Sequence, residues 1–198
     1  MTRAVELIDN RPMDQNPYAP PRAVVADSPA EATDVEPPLF AVSILKLIVL
    51  SIVTLGLYEM YWAYKHWVAI RLREQSEIMP APRAFFGVIF AWALFRRIEK
   101  IGVAEGVPDA PPAGFLAIAW VVVTLCWRLP DPVWLISMAA PVFMLPIQAY
   151  ANRINAQLAP AHDRNARFGW ANIAWIVVGG IILALAIVGS MMPATDAG

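Results

Sequence analysis

The sequence predicts an all-α integral membrane fold: four transmembrane helices and one short interfacial or re-entrant helix. Two observations carry this expectation. Of 198 residues, 59% are hydrophobic and only 16% are charged, against about 25% charged in an average soluble domain. The charges are also unevenly spaced and leave charge-free stretches of 28, 21 and 18 residues. A charge at a bilayer centre costs about 2.5–3.5 kcal/mol on the insertion scale, so gaps of that length mark candidate spans. The near balance of 15 basic and 16 acidic residues argues against a nucleic-acid partner. The single Cys126 allows neither an intrachain disulfide nor a thiolate metal cluster.

Taken in order, residues 1–38 hold seven prolines and ten charges with a net of −4. They contain no apolar run that could serve a signal peptide, and their composition predicts a disordered acidic tail. The helical membrane domain is expected over 39–192. Its first span, 39–64, carries Lys46 and Glu59, which lie 13 residues apart. On one helix they would be separated by about 20 Å, each near one membrane face, Lys46 snorkelling along its alkyl stem. Residues 84–95 (AFFGVIFAWALF) form a 12-residue apolar piece. At about 18 Å it is short of a hydrocarbon core of about 30 Å, hence the interfacial or re-entrant assignment.

Residues 112–128 form the second span and 132–150 the third, joined by the turn RLPDP, with Pro141 and Pro146 predicting a kink. Residues 170–192 form the fourth, and 193–198 are a short tail. Segments 65–111 and 151–169 then share one side. They carry ten Lys and Arg against four or five elsewhere, which makes that side cytoplasmic by the positive-inside rule and places both termini outside.

Residues 46–67 read KLIVLSIVTLGLYEMYWAYKHW. Lys46, Leu47, Leu50, Ser51, Thr54, Gly56, Tyr58, Tyr61, Trp62, Tyr64, Lys65 and Trp67 match a run of Lys-Leu, Leu-Ser, Thr-x-Gly-x-Tyr and Tyr-Trp-x-Tyr-Lys-x-Trp. In this the chain resembles a family of small bacterial integral membrane domains of unknown function, and the resemblance extends through residues 83–98. The stretch NPYAPPRA (16–23) is similar to tails that precede several unrelated small bacterial membrane domains. The family resemblance implies a multi-pass protein of the bacterial cytoplasmic (inner) membrane, and it implies no activity.

Candidate site residues follow from chemistry that a bilayer makes costly or useful. Lys46 and Glu59 are the polar residues inside an apolar span, readable as interfacial anchors or as an ion or proton pathway. Tyr58, Tyr61, Trp62, Tyr64 and Trp67 read as an interfacial aromatic belt, and Arg83, Arg96, Arg97 and Lys100 as basic flanks suited to anionic lipid. Gly180 with Ala184 makes a small-x-x-x-small pair for close helix packing. His66 and His162 are expected to be solvated loop residues, without the second-shell pattern of a metal or haem site.

No nucleophile–base pair, P-loop or zinc motif occurs, so neither catalytic residue nor cofactor is expected. The leading functional expectation is a noncatalytic membrane protein that binds or organises lipids or partners, including a second copy of itself or another membrane protein. The alternative is a small transporter or channel component using Lys46 and Glu59, with a membrane enzyme as a third class.

Overall fold

The computed structural model describes residues 36–191, and every regular element among them is helical. The expected acidic tail, except its last three residues, and the expected short C-terminal tail lie outside the described residues. The helices are α1 (Ile44–Val53), α2 (Leu57–Glu74), α3 (Pro80–Phe85), α4 (Gly87–Ala104), α5 (Ala113–Leu125), α6 (Leu145–Leu158) and α7 (Trp170–Met191). A 3-10 turn, Cys126–Arg128, extends α5, and a 3-10 helix, Val133–Phe143, leads into α6.

The expected first span does not form as one helix. Ser43 caps α1 by accepting from Lys46 N–H, and ten residues later the helix stops. Gly56 N–H bonds Ser51 O and Leu55 N–H bonds Ile52 O, the paired bonds of a Schellman motif. Leu55 (φ 52°) and Gly56 (φ 88°) both take left-handed backbone, which at Gly56 costs little because no Cβ is present. The Thr54 hydroxyl donates to Leu50 O at 2.6 Å and accepts from Tyr58 N–H at 2.9 Å, so one side chain closes α1 and opens α2. The Thr-x-Gly of the sequence motif is therefore a helix break.

Helix α2 returns to where α1 began. Phe40 packs edge-on against Tyr61 and His66, and Lys65 Nζ lies over its ring. The extended segment before α1 is buried there, with Leu39, Ala41 and Val42 in the core, so its backbone groups need partners within the protein. Four amide side chains supply them. Asn155 both accepts from Leu39 N–H and donates to Leu39 O. Gln148 donates to Phe40 O, Asn165 to Ala41 O and Asn152 to Val42 O.

Residues 84–95 are not one short helix either: the chain breaks at Phe86, and α4 runs on to Ala104. Helices α4 and α5 run antiparallel, Gly87 meeting Trp120 and, further along α4 but earlier in α5, Trp92 meeting Gly114. Tyr150 of α6 lies on Gly102 of α4 and donates to Val107 O. The core fills the space between α2, α4 and α6, around Trp62, Trp67, Phe95, Ile98, Ile147 and Tyr150.

Pro141 and Pro146 each remove a backbone donor in the stretch where the 3-10 helix gives way to α6, the chemical reason the helical run changes its winding there. Eleven residues is long for a 3-10 helix.

Helix α7 packs on α1 alone of its neighbours in any depth, and in parallel. Lys46 meets Asn172, and seven residues further along both helices Val53 meets Gly179. A Cβ on Gly179 would fall 2.2 Å from Val53 O, whereas one on Gly180 would meet nothing within 4 Å. The close approach thus runs through Gly179, and the expected Gly180–Ala184 pair stays out of it, Ala184 being exposed.

Among the described residues two helices are long and apolar enough to cross a membrane: the 26-residue run Val133–Leu158 and the 22-residue α7. Four spans are not supported, because the first region is a broken pair and α5 with its 3-10 turn is shorter than a full crossing requires.

Replacing Gly179 by Leu is expected to lower stability by about 1–3 kcal/mol through backbone overpacking, read as the thermal unfolding midpoint in detergent. Gly180→Leu is expected to leave that midpoint unchanged.

Candidate functional site

Lys46, expected to snorkel outward, is 5% exposed and satisfied within the fold. Its Nζ donates to Asn165 Oδ1 at 2.7 Å and to Arg167 O at 3.0 Å. With its carboxamide oxygen turned inward, Asn172 accepts the third bond at 3.1 Å and also takes Gly169 N–H. An ammonium has three donors, and all three are used. Lys46 thereby ties α1 to the loop before α7.

Glu59 is 7% exposed, in the first turn of α2. Its Oε2 accepts from Trp120 Nε1 at 2.7 Å, and among the described residues no basic group pairs with it. Because α1 ends between them, Lys46 and Glu59 do not mark two ends of one helix. Lys46 lies at the start of α7, and Glu59 just beyond the turn that sits level with the middle of α7.

The five expected belt aromatics divide by helical face. Tyr61 and Tyr64 are exposed and Tyr58 half-buried, while Trp62 and Trp67 are core residues at 1% and 0% exposure. The two indoles occupy the inner face of α2 with His66, so they do not belong to an outward belt.

His66 is fully buried and His162 nearly so, against the expectation of solvated loop histidines. Their burial has local causes. His162 Nδ1 lies 2.6 Å from Ala159 O. His66 belongs to a cluster centred on Gln148, whose Oε1 lies 2.6 Å from Trp62 Nε1 and 3.1 Å from His66 Nε2. An indole N–H can only donate, which fixes the carboxamide orientation; that in turn assigns the His66 proton to Nε2. Gln148 Nε2 donates to Phe40 O and to Asn152 Oδ1 at 2.8 Å, so every polar valence of this buried amide is engaged. Among the described residues His66 Nδ1 has no partner. The sequence signal for Gln148, Asn152 and Asn155 is their i, i+4, i+7 spacing, which is that of one helix face.

The four basic flanks also part company. Arg96 pairs with Glu99 at 2.6 Å and Arg97 with Glu74 at 2.7 Å, while Lys100 is exposed. Arg83 is the different one. Its guanidinium stacks over Trp67 at 4.8 Å and Phe90 at 5.4 Å, and among the described residues it has no carboxylate partner. It lines a cavity of about 510 Å³ between α2, α3, α4 and α5, walled by Met60, Trp67, Phe85, Phe90 and Trp127 among others and reached by Glu59. Next to it, Leu57, Met60, Tyr61, Tyr64, Phe85 and Phe86 form an open apolar groove. Among the described residues no group of three or more His, Cys, Asp or Glu is placed to hold a metal ion.

Residues 42–130, from the end of the buried extended segment to the turn after α5, match the family described as "Domain of unknown function (DUF4234)". That range contains the helix break, Glu59 and Arg83, and leaves α6 and α7 outside. No curated protein and no solved structure matches the chain.

Gln148→Leu keeps the volume but orphans the Trp62 indole, His66 and Phe40 O. At about 1–3 kcal/mol for each buried group left unpaired, the expected loss exceeds about 3 kcal/mol, measured by denaturant unfolding in detergent. Unfolding indistinguishable from wild type would remove Gln148 from its central role.

Proposed function

We propose that the chain is a noncatalytic integral membrane protein that binds anionic lipid along the face made by α2, α3, α4 and α5. The observation that carries this reading is the roughly 510 Å³ cavity, apolar-walled and flanked by the unpaired Arg83. Its size lies in the ordinary ligand range of about 300–1,000 Å³. An acyl chain suits the aromatic walls and the adjoining groove. A phosphate or carboxylate headgroup suits a guanidinium already held in place by two aromatic rings.

The bilayer part of the reading rests on α7. Its 22 residues average a hydropathy of 2.5 over the best window, and only 6% of that window is buried. A helix apolar all round and covered by so little needs lipid around it. At 1.5 Å per residue it reaches about 33 Å, the thickness of a hydrocarbon core.

With α7 crossing, α1 descends only to its middle, because Val53 meets Gly179, and α2 climbs back. This makes a re-entrant hairpin. Helices α3 and α4 form a second one. The run Val133–Leu158 and α7 supply two crossings, and α5, lengthened by its 3-10 turn and the exposed Arg128–Asp131 turn, brings the chain to the far side. Glu36, residues 65–111 and residues 151–169 then share the near side, which the positive-inside rule makes cytoplasmic. The described chain thus begins on that side, the reverse of the outside placement expected of the N-terminal end, because α1 and α2 turn back without crossing.

Two measurements test the reading. Purified into mild detergent and examined by native mass spectrometry, wild type is expected to retain phosphatidylglycerol over phosphatidylcholine. Arg83→Ala should lose that retention several-fold, and Arg96→Ala should keep it. Equal retention by Arg83→Ala, or indifference to headgroup charge, would sink the lipid site. In a Cys126→Ser background, single cysteines at Glu36 and Asp163 should react with an impermeant maleimide from one side of sealed vesicles, and one at Arg128 from the other.

A further inference from the structure

A second, smaller cavity of about 90 Å³ lies where the α1–α2 turn, the last turns of α5 and the 3-10 helix meet. Ser51, Gly56, Glu59, Thr124 and Ser137 contribute to its lining. Among the described residues the Ser51, Thr124 and Ser137 hydroxyls have no hydrogen-bond partner, and Ser51 and Ser137 are 1% and 7% exposed. Buried hydroxyls are ordinarily bonded. Three unsatisfied ones around a single cavity, beside a carboxylate whose hydrogen-bond partner among the described residues is an indole N–H, leave several oxygen lone pairs free to hold an occupant.

We propose that this cavity is a binding site for one alkali-metal cation, sodium in particular, held by the Glu59 carboxylate and the hydroxyls of Ser51, Thr124 and Ser137. The donor set is all oxygen, the choice of a hard cation. One carboxylate balances one positive charge, which favours a monovalent ion over calcium or magnesium, whose sites draw on more carboxylates or on substrate phosphates. The volume admits an ion together with a few waters.

The backbone points the same way. Two of the three elements around the cavity are not α-helical: the left-handed Leu55–Gly56 turn and the eleven-residue 3-10 helix. Interrupted helices leave main-chain oxygens outside the regular α-helical ladder, and at membrane depth such breaks are tolerated where they are buried in protein or line a cavity. The proposal does not depend on lipid at Arg83, which lines the other cavity.

The test is equilibrium binding of radiolabelled sodium to the full chain in nanodiscs, at fixed pH and with choline holding the ionic strength. Wild type should bind saturably, near one ion per chain, with unlabelled sodium competing and choline not. Glu59→Gln, which keeps an acceptor for Trp120, should abolish binding. Ser51→Ala and Ser137→Ala should each weaken it more than fivefold, and they decide the matter if Glu59→Gln fails to fold. Lys100→Gln, on the exposed face of α4, should bind as wild type. No saturable sodium binding by wild type, or binding that survives all three site substitutions, overturns the proposal. A cavity that responds to pH and to no alkali ion does so as well.

Discussion

A buried stretch of extended backbone needs hydrogen-bond partners, and meeting that need organises this fold. Residues 39–42 run through the core outside any helix or sheet, so their carbonyls have no regular ladder to join. The amides of Gln148, Asn152 and Asn155 on α6, with Asn165 from the following loop, take that role. Because Gln148 also engages Trp62 and His66, the same side chain registers α2 against both the entering segment and α6. Removing it would leave donors and acceptors stranded on three parts of the chain, a cost far above that of one lost bond.

The second constraint is the early end of α1. Ten residues bring the chain level with the middle of α7, where Gly179 lets the Val53 backbone approach without a side chain between them. Lys46 locks the other end of this contact through its three bonds. The reversal at Thr54–Gly56 then sets Glu59 against Trp120 in the interior. An uninterrupted helix would have carried the carboxylate past that level. The small oxygen-lined cavity and the larger apolar one both open beside this turn, so a structural device at the end of one helix positions the polar chemistry of the molecule.

Electrostatic pairing sorts basic residues that look alike in one dimension. Arg96 finds Glu99 one turn away on its own helix, whereas Arg97 finds Glu74 on α2. Arg83 rests on aromatic faces instead. Exposed ion pairs of this kind contribute about 1 kcal/mol or less to stability. Their consequence here is that, among the described residues, Arg83 has no carboxylate partner while Arg96 and Arg97 each have one.

The sequence by itself determined the helical class, the position of α7 and the apolar character of the chain, because hydropathy and charge spacing are properties of consecutive residues. It also held the break after α1 in Thr54 and Gly56, and the α6 amide row in its i, i+4, i+7 spacing. Both were legible as patterns, but the apolar run on either side of the break masked the first. The partners of the second lie more than 80 residues away. Only the tertiary structure decided that Trp62, Trp67 and His66 face inward, that Lys46 is satisfied within the fold, that Gly179 rather than Gly180 meets a neighbour, and that Arg83 stands apart. Each of those outcomes depends on which residue arrives from a distant segment, and local propensity carries no information about that arrival.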